Sequence, residues 1–470
     1  MRMANLRDDE STRRGFMGQL AAGTGAGLLS GKAAQAATAT PNIIYIHSHD
    51  SGRHLSPYGH DVPTPHLKQL ASEGILFRRA FSAAPTCSPS RAALLTGQYA
   101  HQNGMLGLAH RGFALNDYRK HLLYTLGDAG YHSVLAGLQH IAAKPETIGF
   151  DEILHPKTPA AANVAPKAVE FLNSRPNKPF FMDVGFFETH REYPEPTPED
   201  DPRFTQPPQP IPDTPQTRRD IAAFRASARN LDKAVGEILQ ALDRNGLAEN
   251  TLVISTTDHG LAFPLMKCNL TDFGFGVSLI MRGPGVFRGG KVCDAMVSHV
   301  DIYPTITDLL GLKRPAWLEG KSLMPVLRGE VKEVNEEVFA EVTYHASYEP
   351  KRAVRTQRYK YIRRYGDRTI PVLPNCDDSP SKSLWMEYGW KQKFQPEEQL
   401  YDLIFDPCEN NNLAGDPKSA TVLREMRGRL DAWMKRTDDP LLKGPVKAPK
   451  GAKVNPVDQV SPKEPVADAV

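Results

Sequence analysis

The chain carries almost no excess charge of either sign. Its 470 residues hold 57 Lys and Arg against 54 Asp and Glu, a formal net charge of +3. That balance gives no reason to expect a nucleic-acid partner, which calls for a basic surface. It leaves an anionic polysaccharide open. Long hydrophobic runs are also missing. Residues 20–29 are apolar but too short and too glycine-rich for a membrane span, and no later stretch approaches the needed length. No internal repeat is present. Cysteine is sparse, five residues, an odd number whose pairing the sequence leaves open. Proline and glycine, by contrast, are plentiful at 39 and 36, which suggests a loop-rich α/β chain. The length suffices for a large core and two domains.

The N-terminus reads as an export signal. Ser11-Thr12-Arg13-Arg14-Gly15-Phe16-Met17 places a twin arginine before a hydrophobic residue, the weakly apolar run follows, and Ala34-Gln35-Ala36 is a small-residue cleavage site. Residues 1–36 are therefore expected to be a twin-arginine signal peptide. That makes the twin-arginine translocase a partner and the destination periplasmic or secreted.

The segment Thr86-Cys87-Ser88-Pro89-Ser90-Arg91-Ala92-Ala93-Leu94-Leu95-Thr96-Gly97 is the most informative in the chain. It leaves a loop and enters a short helical pattern that stops at Gly97. Pro89 suits the first turn. Cys87 is expected just before the helix N-terminus, where backbone donors and the dipole favour an anion. Arg91, four residues on, shares its face.

Several apolar runs read as buried strands that end in polar residues. Residues 42–46 end in His47-Ser48-His49-Asp50. Residues 133–136 lead to Gly137-Leu138-Gln139-His140. Residues 180–186 lead to Glu188-Thr189-His190. Residues 251–257 end in Asp258-His259-Gly260, with Lys267 shortly after. Side chains that follow a parallel strand lie at the carboxyl edge of the sheet, where α/β proteins build sites. Residues 218–247 form a long amphipathic helix pattern, and 277–281 a further strand.

The spacing C-x-P-x-R followed by A-x-L-L-T-G resembles the signature of type I sulfatases, in which the cysteine is oxidised to formylglycine. Thr64-Pro65 with Leu70-Ala71, and His101-Gln102-Asn103-Gly104-Met105, add to the likeness. They are most similar to the heparan N-sulfatase (sulfamidase) branch. The resemblance covers residues 41–439. It implies an alkaline-phosphatase-like α/β fold: a mixed, mainly parallel sheet between helices, plus a smaller C-terminal α+β domain. The expected layout is a catalytic domain at 41–333, a smaller domain at 334–440 and a disordered tail at 441–470, rich in Pro, Lys, Ala and Val.

The resemblance also implies roles. Cys87 becomes formylglycine through a formylglycine-generating enzyme. His49, Asp50, Asp258 and His259, with position 87, hold a divalent cation, usually calcium. The family carries Asp where this chain has His49; a second role for His49, behind the ligands or against substrate, stays open. Arg91 steadies the nucleophile. Lys267, His140 and His190 bind sulfate, and one of the two histidines is the general acid. The family lysine of G-K-x-H is Leu138 here, and the first histidine of H-x-P-H is Phe187. The implied activity is hydrolysis of a sulfate ester or sulfamate of a sulfated sugar. A phosphonate or phosphate monoester hydrolase of the same fold, or an inactive exported carbohydrate-binding relative, remains as an alternative.

Overall fold

Strand β1 (Asn42–Ser48) lies near the middle of a nine-stranded sheet, and all seven of its residues are buried. The computed structural model describes residues 40–469, so the 1–36 leader lies outside the described residues. The other strands of this sheet are β2 (Ile75–Phe81), β3 (His132–Gly137), β4 (Glu152–Leu154), β5 (Phe180–Gly185), β6 (Thr251–Thr257), β7 (Gly276–Val277), β8 (Leu279–Arg282) and β9 (Lys291–Ser298). Their order is β4-β3-β5-β1-β6-β8-β2-β7, with β9 paired to β2. The neighbours β4, β3, β5, β1 and β6 run parallel, and β8 is antiparallel to β6. The strand expected at 277–281 is broken into β7 and β8.

Residues of β1 alternate between two cores. Ile44 and Ile46 face the helices Pro65–Glu73, Ala161–Asn173 and Pro215–Arg244. Ile43 and Tyr45 face Cys87–Thr96, Leu122–Asp128 and Ile302–Leu309. A strand buried on both faces must be apolar at every position, hence the continuous run Ile43-Ile44-Tyr45-Ile46. The 30-residue helix Pro215–Arg244 buries the stripe read from the sequence, including Leu231, Val235, Ile238 and Leu242. Its N-cap Thr214 accepts a hydrogen bond from the Thr217 amide.

A second, antiparallel sheet has the order β10-β11-β12-β13, with β10 (Glu337–Tyr344), β11 (Tyr348–Thr356), β12 (Tyr359–Arg364) and β13 (Glu398–Asp402). The helix Ala420–Arg436 packs Leu430 and Trp433 against it. The two sheets belong to one contiguous unit, joined in part by the Glu341 amide donating to Ala83 O.

The expected disordered tail is corrected by the structure. Residues 441–469 pack back onto the molecule and end in a short ladder between β14 (Lys453–Val454) and β15 (Ala467–Asp468). Ala452 joins the main core and Asn455 is fully enclosed. Composition pointed the other way because the segment is anchored by hydrogen bonds and a few small buried residues, which leave no hydrophobic pattern. Among the described residues no helix is long and apolar enough to cross a membrane, and all five cysteines are free thiols.

Candidate active site

Four parallel strands deliver their following residues to one edge. The β1–β6 register pairs Ser48 with Thr257, which sets His49-Asp50 beside Asp258-His259. The β1–β5 register pairs His47 with Gly185, and β3–β5 pairs Gly137 with Gly185, which brings in the loops carrying His190 and His140. The His49 amide donates to Glu188 O, and the Thr189 amide donates back to His49 O. The backbone at Asp50 and His140 is left-handed, with φ of 52° and 58°. This is a conformation non-glycine residues rarely take and which often marks functional sites.

The helix Cys87–Thr96 points its N-terminus into this edge. The helix begins at Cys87 itself rather than one residue later, and all ten of its residues are buried. Arg91 is 2 % exposed. Its Nη2 donates to Asp258 Oδ2 and to Ser48 O, each at 3.0 Å, and Nη1 meets His47 Nδ1. His47 Nε2 lies 2.8 Å from Asp183 Oδ1. A chain of polar groups thus runs Asp183–His47–Arg91–Asp258 beneath the site. His47 and Asp183 were not among the candidates read from the sequence. Their only signal was a polar residue set inside an otherwise apolar strand.

One ligand atom each from His49, Asp50, Cys87 and Asp258 lie within 4.8 Å of one another. His49 Nδ1 stands 3.0 Å from Asp258 Oδ2, and His49 Nε2 and Asp50 Oδ1 are buried without hydrogen-bond partners. One imidazole nitrogen and two carboxylates, with the sulfur of Cys87, gathered this closely out of water fit a bound cation. His259 complements them. Its Nδ1 donates to Gly260 O at 3.0 Å, which places Nε2 3.4 Å from Asp50 Oδ1, 3.5 Å from Asp258 Oδ2 and 3.4 Å from Cys87 Sγ. Burial opposes charge on Asp258, but His259, Arg91 and His49 outweigh it and hold the carboxyl well below its usual range.

The buried Lys267 Nζ lies 3.0 Å from Asp50 Oδ2, 3.0 Å from Asp377 Oδ2 and 3.4 Å from His190 Nε2. Burial opposes its charge, but Asp377 and Asp50 push its pKa well above the usual value. The rings of His140 and His190 each sit 5.6 Å from His49. Burial, with Arg91 nearby, lowers His140 well below its usual range. Leu138 brings no cation to the pocket. Instead His110 Nδ1 approaches His140 Nε2 at 3.0 Å. His110 and Asp377 were missed in the sequence, because one sits in the single turn Ala109–Arg111 and the other in a loop, neither with a motif of its own.

The structure therefore brings together Cys87, Arg91, His49, Asp50, Asp258, His259, Lys267, His140 and His190. A family model described as Sulfatase matches residues 41–312. The chain belongs to the sulfatase family. A second model, described as N-sulphoglucosamine sulphohydrolase, C-terminal, matches residues 266–384 of this sulfatase. Human N-sulphoglucosamine sulphohydrolase (Homo sapiens) is 30% identical over 465 residues, covering 86% of this chain and 92% of that protein. An ulvan-active sulfatase of Formosa agariphila is 30% identical over 450 residues, covering 91% and 88%. A protein solved in complex with its substrate D-glucosamine-2-N,6-O-disulfate superposes with a TM-score of 0.70 at 21% identity, covering 86% of this chain and 99% of that one. The alkaline-phosphatase-like fold and the reaction class, hydrolysis of a sulfuric ester, follow from this membership.

Proposed function

We propose that this sulfatase removes sulfate from a sulfated sugar, with an N-sulfated glucosamine as its first candidate substrate, and that it acts through formylglycine at position 87. The reading rests on one observation. The N-terminus of a buried helix, with Cys87 as its first residue, meets two carboxylates, Arg91 and Lys267 in a single buried cluster. As a thiol, Cys87 is a poor nucleophile. Burial, aided by Asp258 and Asp50 against Lys267 and Arg91, pushes its pKa well above the usual value, and thiolate chemistry needs the opposite.

Oxidised to formylglycine and hydrated, position 87 supplies one hydroxyl to attack sulfur and a second whose deprotonation expels sulfate. His49, Asp50, Asp258 and His259 would hold a divalent cation, which would supply Lewis acidity there. The remaining work falls to side chains. Arg91 fixes Asp258 and the helix turn. Lys267 offers its ammonium to non-bridging sulfate oxygens. His140 and His190 flank the pocket, and one of them gives the leaving oxygen or nitrogen its proton. Calcium is the cation the family likeness implies. Two imidazoles beside two carboxylates suit zinc or manganese better than a cation that prefers oxygen alone.

Modification by a formylglycine-generating enzyme would precede export through the twin-arginine translocase to the periplasm or beyond. The support for export is the Arg13-Arg14 leader in the sequence.

Mass spectrometry of the peptide containing Cys87, from protein made in its native host, tests the modification. An aldehyde is expected, and an intact thiol overturns it. Turnover of a 2-N-sulfoglucosamine, an O-sulfated sugar and a phosphate monoester then tests the substrate. Exclusive turnover of the phosphate ester overturns the sulfated-sugar reading.

A further inference from the structure

A cavity lies outside the Cys87 site, and the sulfatase reaction makes no use of it. It holds about 600 Å³, within the range of small-ligand sites, and is lined by Pro212, Thr214, Trp385, Tyr388, Trp390 and Lys393 among others. Its floor is aromatic. Trp385 and Trp390 pack edge to face with ring centroids 5.4 Å apart, while the Tyr388 side chain is 86% exposed. A tyrosine left that open beside two tryptophans is unusual for a packed surface.

One polar feature indicates what the cavity would take. Lys393 Nζ stands 5.9 Å from the Trp385 ring centroid and supplies a cation beside the aromatic rings. An aromatic floor matches the C–H face of a pyranose ring, and the ammonium matches a sulfate or carboxylate on that sugar. An uncharged apolar ligand would leave the cation unanswered.

The position of the cavity ties it to the catalytic pocket. Trp390 packs with Leu373 and Cys376. Cys376 precedes Asp377, whose carboxylate is paired with Lys267. The helix Pro380–Glu387, which carries Trp385, begins just after Asp377. With residues 377–380 extended and the helix from Pro380 rising about 1.5 Å per residue, the Cα atoms of Trp385 and Asp377 are separated by at most roughly 20 Å, which a short oligosaccharide spans.

We infer that this cavity is a subsite for a second, anionic sugar ring of an oligosaccharide whose sulfated residue occupies the Cys87 pocket. The inference rests on the sulfated-sugar reading above. Steady-state kinetics of the modified, metal-loaded enzyme test it with Tyr388→Ala and Trp385→Ala, on a sulfated monosaccharide and a sulfated tetrasaccharide. Tyr388 is exposed, so its replacement leaves folding intact even where Trp385→Ala does not. The expected result is a rise in KM for the tetrasaccharide of about tenfold, with kcat and the monosaccharide kinetics unchanged. Equal effects on both substrates, or none on either, overturn the subsite. So does a shift from dimer to monomer in light scattering with Tyr388→Ala, which would assign the patch to a second copy of the chain. If the wild-type enzyme turns over an aryl sulfate but neither sugar, the sulfated-sugar reading itself fails, and the subsite falls with it.

Discussion

Arg111 Nη1 donates to Asn455 Oδ1 at 2.6 Å, across 344 residues of sequence. The same guanidinium donates to Ala346 O and Pro462 O. Arg111 directly follows His110, whose ring stacks on His140 with centroids 5.3 Å apart. The terminal segment thus braces the loop that backs a site histidine. Asn455→Ala removes the Arg111 acceptor and the donors to Gln459 Oε1 and Glu464 O. A loss of about 2 kcal/mol is expected, read as a fall of a few degrees in Tm. An unchanged Tm would show that the segment rests on the surface without bracing it.

Arg91→Lys should be far from conservative. The guanidinium is buried and its fork holds Asp258, Ser48 O and His47 together; an ammonium cannot reproduce that geometry. Weakening a buried charge pair costs roughly 3 kcal/mol. The expected result is a fall in kcat/KM of about 100-fold or more with a lowered Tm. Near-normal kinetics would remove Arg91 from the site.

Metal content is measurable directly. Elemental analysis of the purified protein should show one divalent cation per chain, and chelation should lower Tm as well as activity, since a ligand bound only to the folded state stabilises it. Asp258→Asn and His259→Ala should each reduce retained metal, because both supply donors to the cluster. Zinc or manganese in place of calcium would agree with the two imidazoles; no metal at all would overturn the reading of the cluster.

Acid stability should depend on Glu341. It is buried, with His101 Nδ1 at 2.8 Å and Arg352 Nη2 at 3.3 Å. Burial alone would raise its pKa, but His101 and Arg352 outweigh burial and bring it from 4.5 down to about 2. A depressed carboxylate contributes stability that is present above the unfolded value and lost as pH falls through the folded one. The window is therefore pH 4.5 down to about 2, and the contribution is up to roughly 3 kcal/mol. Glu341→Gln should be less stable at pH 7 and show a shallower loss over that window in denaturant titrations at successive pH values. A slope like that of the parent chain would sink the assignment.

The sequence by itself marked the strands that carry the site, their strand-end residues and the Cys87 helix. Apolar runs such as 42–46 and 251–257 read as buried strands, and the residues that follow such strands emerge at one edge of a parallel sheet. The positions of His49, Asp50, Asp258, His259, His140 and His190 were legible for that reason, while their roles, and those of Cys87 and Arg91, came from the resemblance to sulfatases. Only the tertiary structure decided the rest. It turned a tail of surface-like composition into packed chain, through single hydrogen bonds that leave no periodic trace. It drew His110 and Asp377 from unrelated loops to the site, and set His47 and Asp183 beneath Arg91. Such contacts depend on which loops meet in space, and local pattern carries no record of them.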